Sequence, residues 1–237
     1  MQQEIRGKIV LITGASRGIG EATARAFAEA GAKLALFARS GALVKKLAEE
    51  LGNGSIGIAC DVTDEKKVNA AVAEVIDAFG HIDILINNAG AFADATLMEL
   101  DLETWNHILT ANATSAFLMC KAVLPGMTER KAGRIINMSS TTGIRGYAAQ
   151  TAYCAAKHAL LGMGRALALE VKKDNIHVHN LCPGGVGTEF FKGTRLAERL
   201  DGQVMLEAEN LADLCIFLCR LPENVDMTEV SLTRFAP

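Results

Sequence analysis

Tyr153 and Lys157 stand four residues apart in the stretch Tyr153-Cys154-Ala155-Ala156-Lys157. On a helix, residues i and i+4 share a face, so the phenol and the ammonium come together. A neighbouring cation favours phenolate and draws a tyrosine pKa down toward neutrality. Such a tyrosine can serve as general acid and base. Taken alone, the pair reads more simply as an ordinary Tyr/Lys pair on a helix surface. Ser139-Ser140 follows an apolar run, with Ser140 thirteen residues before Tyr153. A hydroxyl at a strand's carboxyl end can hydrogen-bond a carbonyl oxygen, or it can cap a turn. The third feature is Thr13-Gly14-Ala15-Ser16-Arg17-Gly18-Ile19-Gly20, spaced G-x-x-x-G-x-G. Glycines there permit a tight turn and close approach of backbone to a pyrophosphate, and the following helix start offers unpaired N–H groups. A glycine-rich turn that merely opens a helix has the same composition.

Elements must hold these residues in place. Apolar strand-like runs near 8–12, 33–38, 55–60, 82–86, 133–138 and 176–181 alternate with helical patterns near 19–30, 41–51, 63–79, 101–129, 151–173 and 207–220. A short run at 229–233 ends the series. Gly31 sits where a helix C-cap glycine belongs, Thr63 or Asp64 where an N-cap belongs, and Asp101 caps another helix. Near-continuous apolar strands alternating with helices predict a parallel sheet covered on both faces. Right-handed crossovers make that an α/β, doubly wound sheet of about seven strands. No linker, repeat or low-complexity stretch divides residues 1–237, which read as one domain. The irregular stretch 184–206 follows a strand and carries Phe190 and Phe191, so it is a candidate substrate lid.

Composition narrows the function classes. The chain has 237 residues, 50 % hydrophobic and 22 % charged, enough to bury one sizeable core and too apolar for disorder. Lys and Arg number 24 against 27 Asp and Glu, a net charge of −3 without basic runs. That speaks against nucleic acid or a membrane surface as partner. Residues 1–7 are polar and the apolar run 9–12 is too short for a signal peptide or a span. The six cysteines are Cys60, Cys120, Cys154, Cys182, Cys215 and Cys219, with no C-x-x-C pair, and read as buried thiols in a reducing cytoplasm. His177 and His179 alternate on a strand, with no third ligand type clustered beside them, and read as ordinary strand histidines. His158 reads as helix surface or oligomer contact, and Trp105 and Phe117 as core or interface. Arg145 and Tyr147 lie between Ser140 and Tyr153 and read as pocket or surface residues.

Together the motifs resemble the short-chain dehydrogenase/reductase family, in its short single-domain branch, over about residues 7–188. The resemblance rests on the glycine loop, Asp61-Val62, Asn87-Asn88-Ala89-Gly90, Asn112, Ser140, Tyr153-x-x-x-Lys157 and Pro183-Gly184-Gly185-Val186-Gly187-Thr188. It implies a Rossmann-like fold and a catalytic tetrad of Asn112, Ser140, Tyr153 and Lys157. It implies hydride transfer between a nicotinamide cofactor and a small-molecule carbonyl or alcohol. Ser140 would orient the carbonyl, Tyr153 donate the proton, Lys157 lower the Tyr153 pKa and bind the nicotinamide ribose, and Asn112 hold a relay water. Gly14, Ser16, Arg17, Gly18, Ile19 and Gly20 would cradle the pyrophosphate. Asp61 would meet the adenine ring, Asn88 would serve the adenosine-side ribose region and support the sheet, and Val62, Ala89 and Gly90 would also bind the cofactor. Pro183, Gly184, Val186 and Thr188 would face the nicotinamide. Pairing of the two long helices, through Trp105, Leu109, Phe117, Leu161 and Leu167, would make a homodimer or homotetramer.

Two features bear on the finer assignment. An acidic residue at the end of the second strand would select NAD by binding both ribose hydroxyls. Ala38 stands there, with Arg39 next to it and Arg17 in the glycine loop, which points to NADP(H). The last fifty residues, ending Thr233-Arg234-Phe235-Ala236-Pro237, depart from the commoner family pattern. They look like a branch that includes small hydroxy-acid dehydrogenases and leave the substrate open. A β-ketoacyl-thioester reductase is the alternative reading. A non-catalytic NADP-binding regulatory protein is the remote one.

Overall fold

The computed structural model describes residues 4–235. Met1–Gln3 of the polar start, and Ala236 and Pro237 of the tail, lie outside the described residues. Seven strands form one sheet: β1 (Ile9–Thr13), β2 (Lys33–Ala38), β3 (Ile56–Ala59), β4 (Ile84–Asn87), β5 (Gly133–Met138), β6 (Ile176–Pro183) and β7 (Glu229–Leu232). Their spatial order is β3-β2-β1-β4-β5-β6-β7, and every pairing is parallel. The chain runs outward from β1 to β3, then returns to lay β4 on the other side of β1. That reversal opens a crevice at the carboxyl ends of β1 and β4.

All five β1 residues are buried. Alternate side chains enter opposite cores, as a pleated strand requires. Val10, Ile12, Leu34 and Leu36 pack on one face with α1 (Gly18–Glu29), α2 (Gly41–Leu51) and α8 (Ala208–Cys219). Ile9, Leu11, Ala35 and Phe37 pack on the other with α3 (Glu65–Phe79), α5 (Ser115–Arg130) and α6 (Thr151–Val171). Asp64, not Thr63, caps α3, accepting from Lys66 N and Lys67 N at 3.0 and 3.2 Å. Asp101 caps α4 (Leu102–Leu109) through Thr104 N at 2.7 Å.

The helix expected over 101–129 is not uniform. A π turn, Thr110–Thr114, joins α4 to α5. The Asn112 amide donates to Ile108 O at 2.9 Å and Ala91 O at 2.7 Å, tying the widened turn to the loop after β4. The run Leu102–Arg130 spans 29 residues and is long and apolar enough to cross a membrane by length and composition alone. Here Ile108, Leu118, Met119, Val123 and Met127 turn inward and are buried. The interface expectation needs a correction. Leu161 and Leu167 are 1 % and 8 % exposed, so they serve this chain's own core. Phe117, Leu102 and Leu169 are the exposed apolar residues on those helices. All six cysteines are free and buried.

Asn87, Asn137 and Asn180 stand side by side on β4, β5 and β6. Asn87 Nδ2 donates to Asn137 Oδ1 at 3.0 Å, and Asn137 Nδ2 to Asn180 Oδ1 at 3.0 Å. Asn180 Nδ2 finishes the row on Thr228 O at 3.1 Å. Beyond β6, residues 184–206 contain a 3₁₀ turn, Glu189–Phe191, and the short helix α7, Arg195–Leu200. Gly187 N to Leu206 O at 2.8 Å and Leu206 N to Gly185 O at 3.0 Å close the neck of this excursion.

Candidate active site

The glycine loop leaves β1 and enters α1. Gly14 has φ +65°, and a Cβ on it would meet Ala89 Cα and Asn88 Nδ2 at 3.0 Å. A Cβ on Gly20 would lie 2.3 Å from Gly14 O, so no larger residue fits. Asn88 bridges from β4, donating to Thr13 O at 3.0 Å and Gly14 O at 3.2 Å. The Thr13 hydroxyl accepts from Asn88 N and Ala89 N, both at 3.0 Å. The sheet-supporting part of the Asn88 expectation is therefore seen directly. The first helical bond of α1 is Glu21 N to Arg17 O at 3.4 Å. The N–H groups ahead of it lack helical partners, and Arg17 supplies no side-chain cap.

Tyr153 and Lys157 lie on the first turns of α6, 6 % and 4 % exposed. Lys157 Nζ donates to Met138 O at 2.7 Å and lies 5.6 Å from the Tyr153 ring centroid. Ser140 Oγ accepts from Thr142 N at 3.2 Å and donates to Pro183 O at 3.4 Å. Asn112 Oδ1 is buried with no hydrogen-bond partner among the described residues. Burial dominates both ionisable groups. It pushes the Tyr153 phenol above its ordinary value, against an opposing contact with Ser140. It pushes Lys157 down to about 7. The net shift on Tyr153 is upward, with burial as its largest cause. Helical spacing brings the two groups together, and it does not report the desolvation both suffer.

Of the residues expected at the site, all but Gly20 and Asn112 line one cleft of about 1700 Å³. Gly20 and Asn112 lie behind its wall, at 1 % exposure for Asn112. At the adenosine end, Ala38 is followed by Arg39, which lines the cleft with Arg17. Thr63 Oγ1 donates to Asp61 at 2.6 Å. That bond, with Lys67 and Arg39 nearby, holds the Asp61 carboxyl below its usual range. Arg145 and Tyr147 lie outside the cleft lining and bond to each other, Arg145 Nε to Tyr147 Oη at 2.7 Å. His158 turns back on its own helix, 2.8 Å from Cys154 O. Among the described residues no three His, Cys, Asp or Glu side chains cluster to hold a metal. Phe92 was not among the residues singled out from the sequence, yet its ring lies 5.1 Å from that of Tyr153. Its only signal is an aromatic residue soon after Asn87-Asn88-Ala89-Gly90.

A phosphate-sized cradle with unpaired N–H groups, an extended cleft and a cationic far end fit a dinucleotide. The chemistry at its floor fits proton exchange with a bound oxygen. The fold and site thus define a nucleotide-dependent oxidoreductase. Residues 8–199 match the family described as short chain dehydrogenase. The chain belongs to that family. It is 38 % identical over 209 residues to a 3-oxoacyl-acyl-carrier-protein reductase FabG of Vibrio cholerae, covering 88 % of this chain and 86 % of that one. It is 39 % identical over 202 residues to an inactive 2-(S)-hydroxypropyl-CoM dehydrogenase 2 of Xanthobacter autotrophicus, covering 85 % and 87 %. A solved 3-ketoacyl-(acyl-carrier-protein) reductase of Brucella melitensis, complexed with NADH, superposes with a TM-score of 0.90 at 29 % identity, covering 97 % and 98 %.

Proposed function

We propose that the chain is an NADP(H)-dependent enzyme that interconverts a small carbonyl compound and its alcohol. The observation that carries this reading is one cleft with Ser140, Tyr153 and Lys157 at its floor and Arg17 and Arg39 at its adenosine end, where Ala38 offers no carboxylate. NADP(H), when bound, supplies or accepts the hydride. Ser140 holds the carbonyl oxygen by a hydrogen bond, and Tyr153 gives it a proton as charge develops. Lys157 sits below Tyr153 and supports its return to the protonated form. Asn112, its Oδ1 buried and without a partner among the described residues, holds a relay water beneath Lys157. Arg17 and Arg39 bind the 2′-phosphate, as paired guanidinium groups do.

The same reading takes residues 1–237 as one domain, 184–206 as the substrate lid and the assembly as a homodimer or homotetramer. Exposed Phe117, Leu102 and Leu169 on the long helices support that assembly. It places the protein in the cytoplasm with small molecules, not nucleic acid or membrane, as partners. A β-ketoacyl-thioester substrate is the second reading, favoured by the activity for which the Vibrio and Brucella relatives are named.

The test is turnover of aldehydes, ketones, β-keto esters and acyl thioesters with NADPH and NADH. The inactive Xanthobacter relative makes turnover the deciding readout. Turnover with NADPH preferred is expected; none with any carbonyl refutes the enzyme. Arg17→Ala, Arg39→Ala together should weaken NADPH use about 100-fold or more and leave NADH use nearly unchanged, since two charge-assisted bonds are lost. Equal loss with both cofactors refutes the phosphate assignment.

A further inference from the structure

The Tyr153 ring is covered by aromatic side chains. Phe92 meets it edge-on at 5.1 Å, and Phe190 of the 3₁₀ turn tilts against it at 6.2 Å. Phe190 also contacts Phe92 at 6.2 Å and Phe191 at 5.2 Å, and Phe92 meets Phe191 edge-on at 4.9 Å. Phe190 therefore rests among three other aromatic rings. Tyr153, Phe190 and Phe191 line the cleft together, so the Phe190 ring occupies a place beside Tyr153 that a bound carbonyl compound can take. The place it takes is lined by Phe92, Phe191 and Tyr153, whose edges and faces suit another flat ring.

Charge points the same way. The cations lining this cleft are Arg17, Arg25, Arg39, Lys157 and Lys192. Arg17 and Arg39 stand at the adenosine end, and Arg25 is bound to Glu21 at 2.7 Å. Lys157 is buried on Met138 O, and Lys192 is paired with Glu189 at 2.8 Å. On the substrate side, Arg195 is likewise held by Glu99 at 2.9 Å. Each cation lining the cleft is therefore at the adenosine end or already engaged. A buried carboxylate without a partner is costly.

Resting on the carbonyl-reductase reading, we infer that the substrate is a neutral ketone or aldehyde with an aryl group, which occupies the socket that Phe190 fills. The aryl group restores the ring contacts that Phe190 gives up. A linear alkyl group of equal carbon count cannot, and a 2-keto acid adds an unpaired charge.

Two measurements test this. The first is kcat/KM for acetophenone, 2-octanone and phenylglyoxylate, which share a carbon count. Acetophenone should exceed 2-octanone about 10-fold, from two lost ring contacts. It should exceed phenylglyoxylate about 100-fold, from the unpaired charge. The second is binding of 4-nitrobenzamide, which has no ketone to reduce, followed by quenching of Trp105. Trp105 is the single tryptophan of the sequence and packs on the cluster holding Tyr153, with Phe92 and Phe190. Saturable quenching is expected, weakened about 10-fold in the Phe92→Leu, Phe191→Leu double variant by loss of two ring contacts. Phe190→Ala should tighten it, because the displaced ring is gone; this variant carries the test if the double variant does not fold. Octanamide competing as well as the aryl amide, or Phe190→Ala weakening binding, overturns the inference. Ketone reduction with alkyl groups preferred sinks the socket and keeps the enzyme. Saturable aryl amide binding with no carbonyl reduced sinks the enzyme and keeps the socket.

Discussion

Acidification should destabilise this protein through His179 before its carboxylates respond. His179 is fully buried on β6. Its Nε2 faces Arg134 Nη1 at 3.2 Å, and its Nδ1 faces Met227 O at 2.9 Å. A guanidinium only donates and a carbonyl only accepts, so the ring carries its proton on Nδ1 and is neutral. A second proton would set an N–H against the Arg134 cation. Burial, with Arg134 nearby, accordingly moves His179 from 6.5 down to about 4. The unfolded chain takes up this proton below about pH 6.5 and the native chain does not, so stability falls as pH drops from 6.5 toward 4. The loss from this group is about 1 kcal/mol between pH 7 and 5.5, and about 2 kcal/mol between pH 7 and 5. Against a total of roughly 5–15 kcal/mol this is measurable. Urea unfolding of the wild type and His179→Gln at pH 7 and 5.5 isolates it. Glutamine keeps an uncharged acceptor within reach of Arg134. Lys157 contributes alike to both proteins, and carboxylates such as Glu99, held down to about 2, act only at lower pH. The wild type should lose about 1 kcal/mol more than the variant. Parallel losses would refute the argument.

Three further outcomes are expected. Tyr153→Phe should keep the fold and cofactor affinity while kcat drops by roughly 10²–10⁴-fold or more; retention of about a tenth of the activity would exclude it as the acid. Gly20→Ala, whose Cβ would lie 2.3 Å from Gly14 O, should abolish cofactor binding measured by fluorescence transfer to bound NADPH, and unchanged affinity would contradict the cradle. Asp94→Ala removes the carboxylate that accepts from Leu196 N at 2.6 Å, so trypsin should cut at Arg195 and Arg199 several-fold faster, and an unchanged cutting rate would show that α7 is held otherwise.

The strands were legible because a parallel strand buried on both faces leaves an uninterrupted apolar run, as Ile9–Thr13 does. The glycine loop and the Tyr153/Lys157 pair were legible because backbone clearance and helical spacing are local properties. What escaped depends on distant partners. The π turn at Thr110–Thr114 is fixed by an Asn112 bond to Ala91 O, across 21 residues. The depressed pKa of Lys157 follows from burial on β5, which spacing does not report. The long helix α6 is apolar on more than one side, so its pattern did not tell whether Leu161 and Leu167 face the sheet or a second copy.

The row of asparagines on β4, β5 and β6 bears on how the sheet assembles. Parallel neighbours can be joined at several offsets, and apolar strands alone tolerate a slip by two residues with little loss. Here such a slip would set Asn87 beside Ile135 or Ser139, and Asn137 beside Val178 or Cys182, instead of another amide. Each orphaned buried amide costs about 1–3 kcal/mol. The partners lie 50 and 43 residues apart, so these strands meet by long loop closures. A misaligned sheet therefore carries that cost in full. The residues that follow each asparagine, Asn88, Met138 and Leu181, then end at a common height. The three asparagines thus gauge the strand ends against one another and level the rim of the cleft.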